Sequence, residues 1–182
     1  MHISVRFLLT TKYKYSALIE VFTAPKKWND AESDCKVHGG NLVSIHSENY
    51  NQWVRALFQN ATKSIPSPDW DGFWSGMIST GIEWKWSDRT GVYYFNWRAG
   101  EPNNWQGQME DCVEIYNDGS WNDDPCENEL PFVCKDRFLY LSMSYLGRCF
   151  ISKLFKTLQR KLHRQSGVQQ PYYLVLKRSV VK

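Results

Sequence analysis

Oxygen-bearing side chains are concentrated in one short stretch of the sequence. Three groups of them lie within 24 residues: Glu101-Pro102-Asn103, Glu110-Asp111-Cys112 and Trp121-Asn122-Asp123-Asp124. Carboxylates and amide carbonyls are hard donors, and Ca²⁺ takes about six to eight such oxygens from flexible loops. Packed together, three carboxylates would repel one another, and a bound divalent cation would compensate for this. The residues that would suffice as ligands are Glu101, Asn103, Glu110, Asn122 and Asp123.

The same pattern has other interpretations, because acidic loops are commonly only solvated surface. A glycosidase could use Glu101 and Glu110 as its acid and base. We disfavour an enzyme, because ion ligation explains these carboxylates better and no histidine lies in a recognisable catalytic motif. A cis peptide bond before Pro102 would turn its flanking side chains toward one point, but the sequence does not reveal the isomer.

The elements that would position these residues can be read from periodicity. Apolar residues at helical spacing predict a first helix over 27–38, ended by Gly39-Gly40. Ser47 suits the N-cap of a second helix over 48–59. Short aromatic and β-branched runs between turn residues predict strands over 73–78, 83–87, 92–97, 112–116 and 132–135. Helices followed by strands indicate an α+β fold.

Four of the five cysteines lie in the block that also contains all nine tryptophans; they are Cys35, Cys112, Cys126 and Cys134. Zinc sites usually contain a close cysteine pair, whereas the separations here are 77, 14 and 8 residues, so disulfides are favoured. Four cysteines allow three pairings, and their spacing does not choose among them. Disulfides favour an oxidising, extracellular location. Cys149 is left over as a free thiol, an intermolecular link or a sign that the tail is foreign to the domain.

Charge divides the 182 residues into three blocks. Residues 1–27 have a net charge of +4, residues 28–135 of −10 and residues 136–182 of +9, for a total of +3. The last block contains a basic amphipathic pattern over 151–164, which favours a solvated helix or a disordered tail over a membrane-surface or anionic-partner segment. We expect no transmembrane segment and no nucleic-acid partner, and the first 14 residues contain no clear signal peptide.

Together these motifs resemble the C-type lectin domain, over about two thirds of the chain. The resemblance implies a double-loop fold of two helices and two small antiparallel sheets, with the disulfides Cys35 to Cys134 and Cys112 to Cys126. It divides the chain into an N-terminal segment 1–14, a domain 15–135 and a basic tail 136–182. The matching features are Trp28-Asn29-Asp30-Ala31-Glu32-Ser33-Asp34-Cys35, Gly39-Gly40-Asn41-Leu42-Val43-Ser44-Ile45, Phe73-Trp74-Ser75-Gly76-Met77, Glu101-Pro102-Asn103, Glu110-Asp111-Cys112, Trp121-Asn122-Asp123 and Pro131-Phe132-Val133-Cys134.

In that family Glu-Pro-Asn marks the binding of mannose-type sugars, and Gln-Pro-Asp marks galactose-type sugars. The motif here is Glu101-Pro102-Asn103. The resemblance therefore implies Ca²⁺-dependent binding of glycans or glycoproteins with mannose, fucose or N-acetylglucosamine termini. The five oxygen-bearing residues above would ligate the ion, and two vicinal sugar hydroxyls would complete its shell. The sugar would contact Glu101, Asn103, Glu110, Asn122 and, by stacking, Trp105.

This sequence departs from the family pattern in its loops. One extra residue lies between Asn103 and Glu110, so we expect the loop 104–109 to differ in shape and Glu110 to be the least secure ligand. Trp105 either stacks on a sugar or packs in this loop. Segment 79–83 lacks the spaced acids that build the family's auxiliary Ca²⁺ site, so a full second ion is not expected.

Binding at one such site would be weak, because extracellular Ca²⁺ modules bind the ion at about 10⁻⁴ to 10⁻³ M, and avidity would require several copies. The alternative is a module that binds protein, lipid or ice without sugar, because a fold does not set a function. Asn60-Ala61-Thr62 is an N-glycosylation sequon, expected in a loop after the second helix and consistent with secretion.

Overall fold

The described part of the chain contains two α-helices, nine strands and one short 3-10 helix, Trp105–Gly107. The structure is a computed structural model, which describes residues 4–10, 16–65, 70–136 and 173–178. The helices are α1 (Trp28–Val37) and α2 (Glu48–Thr62). The strands are β1 (Ser4–Thr10), β2 (Ser16–Lys26), β3 (Gly40–Leu42), β4 (Gly72–Ser79), β5 (Trp84–Trp86), β6 (Cys112–Tyr116), β7 (Trp121–Asp124), β8 (Leu130–Asp136) and β9 (Tyr173–Arg178). The predicted α+β class with two helices is confirmed.

Both helices begin close to where the sequence predicts. Helix α1 buries Trp28, Ala31 and Cys35 on one face, as expected from their helical spacing. At the start of α2, the Ser47 hydroxyl accepts a hydrogen bond from the Tyr50 backbone N–H at 3.3 Å, which satisfies a free amide of the first turn. Helix α2 continues three residues beyond its predicted end, to Thr62.

The strands form one mixed sheet in the order β7-β6-β4-β8-β2-β1-β9, with β3 paired to β8 and β5 paired to β4. All the pairings are antiparallel except that of β4 with β8, where Trp74 lies opposite Phe132. The two small antiparallel sheets that we expected are therefore joined into one. The junction lies in the core, since Trp74 and Phe132 are both fully buried.

The strand predicted over 92–97 is wrong. Within this segment only Trp97 bridges to a strand residue, Trp121. Its aromatic side chains instead pack on Trp121, with ring-centroid distances of 5.5 Å for Tyr94 and 5.9 Å for Trp97. The alternating apolar pattern therefore reflects a loop folded over one buried indole.

The two ends of the chain add strands beside β2. Strand β1 pairs antiparallel with β2, and β9 pairs antiparallel with β1. The basic amphipathic pattern over 151–164 and Cys149 lie outside the described residues. The division at residues 14 and 136 stays a prediction.

Two disulfides lock this arrangement, and both pairings implied by the resemblance are confirmed. Cys35 to Cys134 joins α1 to β8, and Cys112 to Cys126 joins β6 to the turn after β7. Their Cα atoms are 5.4 and 5.2 Å apart. Among the described helices, none has the length and apolarity needed to cross a membrane.

Candidate functional site

Strand β7 and the long loop before β6 bring the oxygen-bearing residues together. Asn122 and Asp123 lie on β7, which pairs antiparallel with β6. Glu110 lies two residues before β6, and Glu101 and Asn103 lie earlier in the same loop. The peptide bond between Glu101 and Pro102 is cis.

Asp123 holds the loop against β7. Its carboxylate is almost fully buried, with an exposed fraction of 1%. It accepts hydrogen bonds from the backbone N–H of Asn103 at 3.0 Å and from that of Asn104 at 2.9 Å. Two residues that the sequence placed in the site, Asn103 and Asp123, are thus brought into direct contact.

Glu110 forms two hydrogen bonds with the loop that precedes it. Its side chain is 7% exposed, and Oε2 accepts a hydrogen bond from the Trp105 N–H at 2.5 Å. Its own backbone N–H donates to Oδ1 of Asn104 at 3.1 Å. Glu110 therefore fastens the loop that precedes it, and the expected difference from the family's loop shape stays a prediction.

Glu101 faces both of these acids. Burial raises its pKa, and the charges of Asp123 and Glu110 raise it further, whereas nearby Arg98 lowers it. Its Oε2 is buried and has no hydrogen-bond partner among the described residues. The charges of Asp123 and Glu110 thus both act on Glu101, which disfavours its ionised form.

The sequence analysis missed the contributions of two neighbours, Arg98 and Asn104. The Glu101 N–H donates to the Arg98 carbonyl at 3.0 Å, and the Arg98 guanidinium lies 5.2 Å from the centre of the Tyr116 ring. Asn104 has a left-handed backbone, with φ of 47°. Asparagine tolerates this conformation well, so an Asn beside Glu-Pro-Asn was the available signal for a tight loop.

Two further predicted residues are more accessible than Glu110 and Asp123. Trp105 is 62% exposed, so its indole is accessible rather than packed in the loop. Asn122 is half-buried on β7, directly before Asp123. Both residues are therefore at least partly open to solvent.

The donor set fits a calcium ion in chemistry and in charge. All five side chains offer oxygen, and the unpartnered Glu101 Oε2 is an acceptor that a cation would satisfy. Within the described residues, however, no group of three or more His, Cys, Asp or Glu is arranged so that it could hold a metal ion. The carboxylates of Asp123 and Glu110 accept loop amides instead.

A second acidic group flanks the site and was not singled out from the sequence. Glu114 on β6 is 5% exposed, and its pKa is raised to about 8 by burial and then by the charges of Asp124 and Asp71. Burial also raises the pKa of Asp124 to about 6, although Asn128 donates to its carboxylate. Acidic side chains therefore continue along β6 and β7 beyond the motif residues, and burial favours the protonated forms of Glu114 and Asp124.

The expected loop position of Asn60 is wrong. Asn60 lies exposed in the last turn of α2, where the Thr62 hydroxyl donates to the Phe58 carbonyl at 2.9 Å. The helix extends through the sequon because its apolar face, including Phe58 and Ala61, continues into the core. Modification of Asn60 stays a prediction.

Comparison with known proteins gives a consistent picture. The profile of the family described as Lectin C-type domain matches residues 24–136. The chain is 35% identical over 113 residues to C-type mannose receptor 2 of Homo sapiens, a match that covers 60% of this chain and only 7% of the receptor. It is 34% identical over 123 residues to a C-type lectin of Cerberus rynchops, covering 64% of this chain and 74% of that protein.

A solved structure shows the same architecture. The cow C-type carbohydrate-recognition domain of CD23, determined in the presence of a GlcNAc2Man3 oligosaccharide, aligns with a TM-score of 0.58 and 30% identity. The alignment covers 72% of this chain and 98% of that domain.

Proposed function

The chain belongs to the C-type lectin domain family, and from this premise we propose that it binds mannose-type sugars through a calcium ion. The family consists of binding domains that are generally specific for carbohydrate rather than catalytic. The finer assignment, to mannose, fucose or N-acetylglucosamine termini, derives from the motif Glu101-Pro102-Asn103.

One observation carries the proposal, namely the environment of Glu101. Its Oε2 is buried and unpartnered among the described residues, and it faces the charges of Asp123 and Glu110. A buried carboxylate oxygen without a donor is unfavourable by roughly 1 to 3 kcal/mol or more. A cation bound beside Glu101 would satisfy this acceptor and offset the repulsion from Asp123 and Glu110.

The proposed ion ligands are Glu101, Asn103, Glu110, Asn122 and Asp123. When bound, Ca²⁺ supplies coordination positions for two vicinal hydroxyls of a sugar. The carboxylates of Glu101 and Glu110 accept the hydroxyl protons, while the amide groups of Asn103 and Asn122 donate to the hydroxyl oxygens. This alternation of acceptors and donors orients the diol, and the accessible indole of Trp105 offers a flat apolar face to the ring.

The expected setting is extracellular. Both disulfides indicate an oxidising compartment, and the natural ligands would be glycans or glycoproteins with mannose-type termini. Since one shallow diol site binds weakly, we propose that several copies act together.

Affinity chromatography tests the proposal. Refolded protein with intact disulfides is applied to mannose-agarose and galactose-agarose in Ca²⁺, followed by EDTA. We expect retention on mannose, elution by EDTA, and loss of retention in Glu101→Gln. The matched control is Glu127→Gln. The Glu127 carboxylate is exposed and forms a salt bridge of 2.6 Å with Lys27, which is not a residue of the site. Retention that survives EDTA, or that is stronger on galactose, would overturn the assignment.

A second candidate is a protein-binding module that needs no calcium. It is favoured by the carboxylates of Asp123 and Glu110, which the loop amides already satisfy. Exposed apolar side chains such as Tyr93 and Ile82 would then form the contact surface. Isothermal titration distinguishes the two candidates. The protein-binding module predicts neither Ca²⁺ binding in the millimolar range nor binding of monosaccharides.

A further inference from the structure

We propose that Asn104 is a positioning residue of the sugar site, which acts through Glu110 and Trp105. Asn104 is not among the proposed ligands of the ion or the sugar. The inference rests on the proposed function in one respect, since it concerns how an aromatic side chain is presented to a bound sugar.

The geometry is a pair of hydrogen bonds that meet at Glu110, one to Asn104 and one to Trp105, here called the Asn104–Glu110 clamp. Oδ1 of Asn104 accepts the backbone N–H of Glu110 at 3.1 Å, and Oε2 of Glu110 accepts the backbone N–H of Trp105 at 2.5 Å. Asn104 is in addition anchored to β7, because its own N–H donates to Asp123 at 2.9 Å. The clamp therefore closes the loop 104–109 at its base and ties it to two carboxylates of the site.

The backbone of this loop has a left-handed conformation at three residues. They are Asn104, Gln106 and Gly107, with φ of 47°, 55° and 74°. Glycine adopts this conformation freely and asparagine tolerates it, whereas for Gln106 it is costly and persists only where surrounding contacts impose it. Every residue from 102 to 109 is exposed, so packing imposes little here. Two backbone hydrogen bonds hold the turn from within, from the Gly107 N–H to the Asn104 carbonyl at 2.8 Å and from the Gln108 N–H to the Trp105 carbonyl at 3.1 Å, and the clamp fastens the base of the loop.

The clamp also fixes the backbone of Trp105. Its side chain is accessible, and its backbone N–H is bound by Glu110, which is itself fixed by Asn104. The position of the indole thus depends on the clamp, because the clamp fixes the backbone of Trp105. An aromatic face that is held in place contributes about three- to tenfold to the affinity for a ligand that stacks on it. Without the clamp the ring is free to move with the loop, and this contribution is lost.

A double-mutant cycle at saturating Ca²⁺ tests the mechanism. Asn104→Gly removes the acceptor and keeps the left-handed backbone accessible. Both Asn104→Gly and Trp105→Ala are expected to weaken binding of methyl mannoside about three- to tenfold. The double variant is expected to bind as Trp105→Ala does, because Asn104 acts through that ring. Losses that add independently would overturn the proposal.

Two further variants guard against a general loss of loop structure. Asn104→Asp keeps an acceptor oxygen at the same place and is expected to restore most of the affinity. Gln108→Ala changes an exposed side chain of the same loop and is expected to leave affinity within twofold. A failure of Asn104→Asp to rescue, together with an equal loss in Gln108→Ala, would also overturn the proposal.

Amide hydrogen exchange tests the clamp without any sugar. In the wild-type protein the Glu110 N–H is expected to be protected, and in Asn104→Gly to exchange at least tenfold faster, with protection kept in Asn104→Asp. If the wild-type protein binds no sugar, the proposed function fails, and the exchange of Glu110 still decides whether the clamp exists. Unchanged exchange in Asn104→Gly would overturn the inference.

Discussion

The side-chain carbonyl of Asn51 accepts a hydrogen bond from the indole N–H of Trp121 at 3.0 Å, in the fully buried core. The amide group of Asn51 donates in turn to the Gly119 carbonyl at 2.8 Å. Helix α2 is thereby bonded to β7 and to the turn that precedes it. Since Asn122 and Asp123 follow Trp121 directly, this one side chain positions the strand on which the site is built.

Replacement of this amide should destabilise the domain strongly. Asn51→Leu would leave the Trp121 N–H unpaired, whereas the Gly119 carbonyl would keep its hydrogen bond from the Asn96 amide at 2.8 Å. A buried unsatisfied group costs about 1 to 3 kcal/mol, so we expect the free energy of unfolding, measured by urea denaturation, to fall by about that amount. The matched control is Gln52→Leu, whose amide donates to Glu48 on the surface. A comparable loss in both variants would contradict the assigned role.

Calcium binding should weaken in acid. Burial and the neighbouring acids raise the pKa of Glu101, so its protonated form is favoured as the pH falls, and a protonated carboxyl cannot ligate a cation. We expect the Ca²⁺ affinity measured by isothermal titration to decrease steadily from pH 7 toward about pH 4. In Glu127→Gln the same decrease should be seen. An affinity that stays constant over this range would count against ligation by these carboxylates.

Stability without calcium should depend on Glu114. Its folded-state pKa of about 8 lies above its ordinary value of 4.5, so the folded state favours the protonated form. The stability contributed by this group is therefore complete below pH 4.5 and is lost as the pH rises through 8. Urea titrations in EDTA should show a decline on the order of a few kcal/mol across this window.

The Glu114→Gln variant isolates this contribution, because its side chain does not titrate. The difference in unfolding free energy between variant and wild type should grow with pH in favour of the variant. Glu83→Gln, at an exposed position, is the control and should follow the wild type. Parallel pH profiles for wild type and Glu114→Gln would rule out the assignment.

The two disulfides should differ in their effect on stability. The chain-entropy treatment gives about 4.7 kcal/mol for a loop of roughly 100 residues and about 3 kcal/mol for one of roughly 15. Cys35 and Cys134 are 99 residues apart, and Cys112 and Cys126 are 14 apart. Replacing the first pair by serine should therefore lower the free energy of unfolding more than replacing the second. Denaturant titration of both double variants checks the order, and a reversed order would contradict it.

Several features of the fold could be predicted because they are local. Helix α1 follows from the spacing of Trp28, Ala31 and Cys35, and the start of α2 follows from Ser47. Strand β7 was not recognised, because Asn122 and Asp123 have low strand propensity and its pairing with β6 provides what its own residues lack. The segment 92–97 shows the converse, since its strand-like residues pack on Trp121 without forming a ladder.

The site likewise combines features that the local sequence predicts with features that only tertiary contacts determine. The motif Glu101-Pro102-Asn103 and the other motifs were sufficient to indicate the family, because motif identity and order are properties of the chain itself. The resemblance to that family, and not the cysteine spacing, then implied the disulfide pairs. That Glu110 fastens Trp105, that Asp123 accepts two loop amides and that Asn51 bonds Trp121 became apparent only in the folded molecule. These contacts join residues from 5 to 70 positions apart, and their partners are chosen by the path of the loop and by burial, which no local pattern encodes.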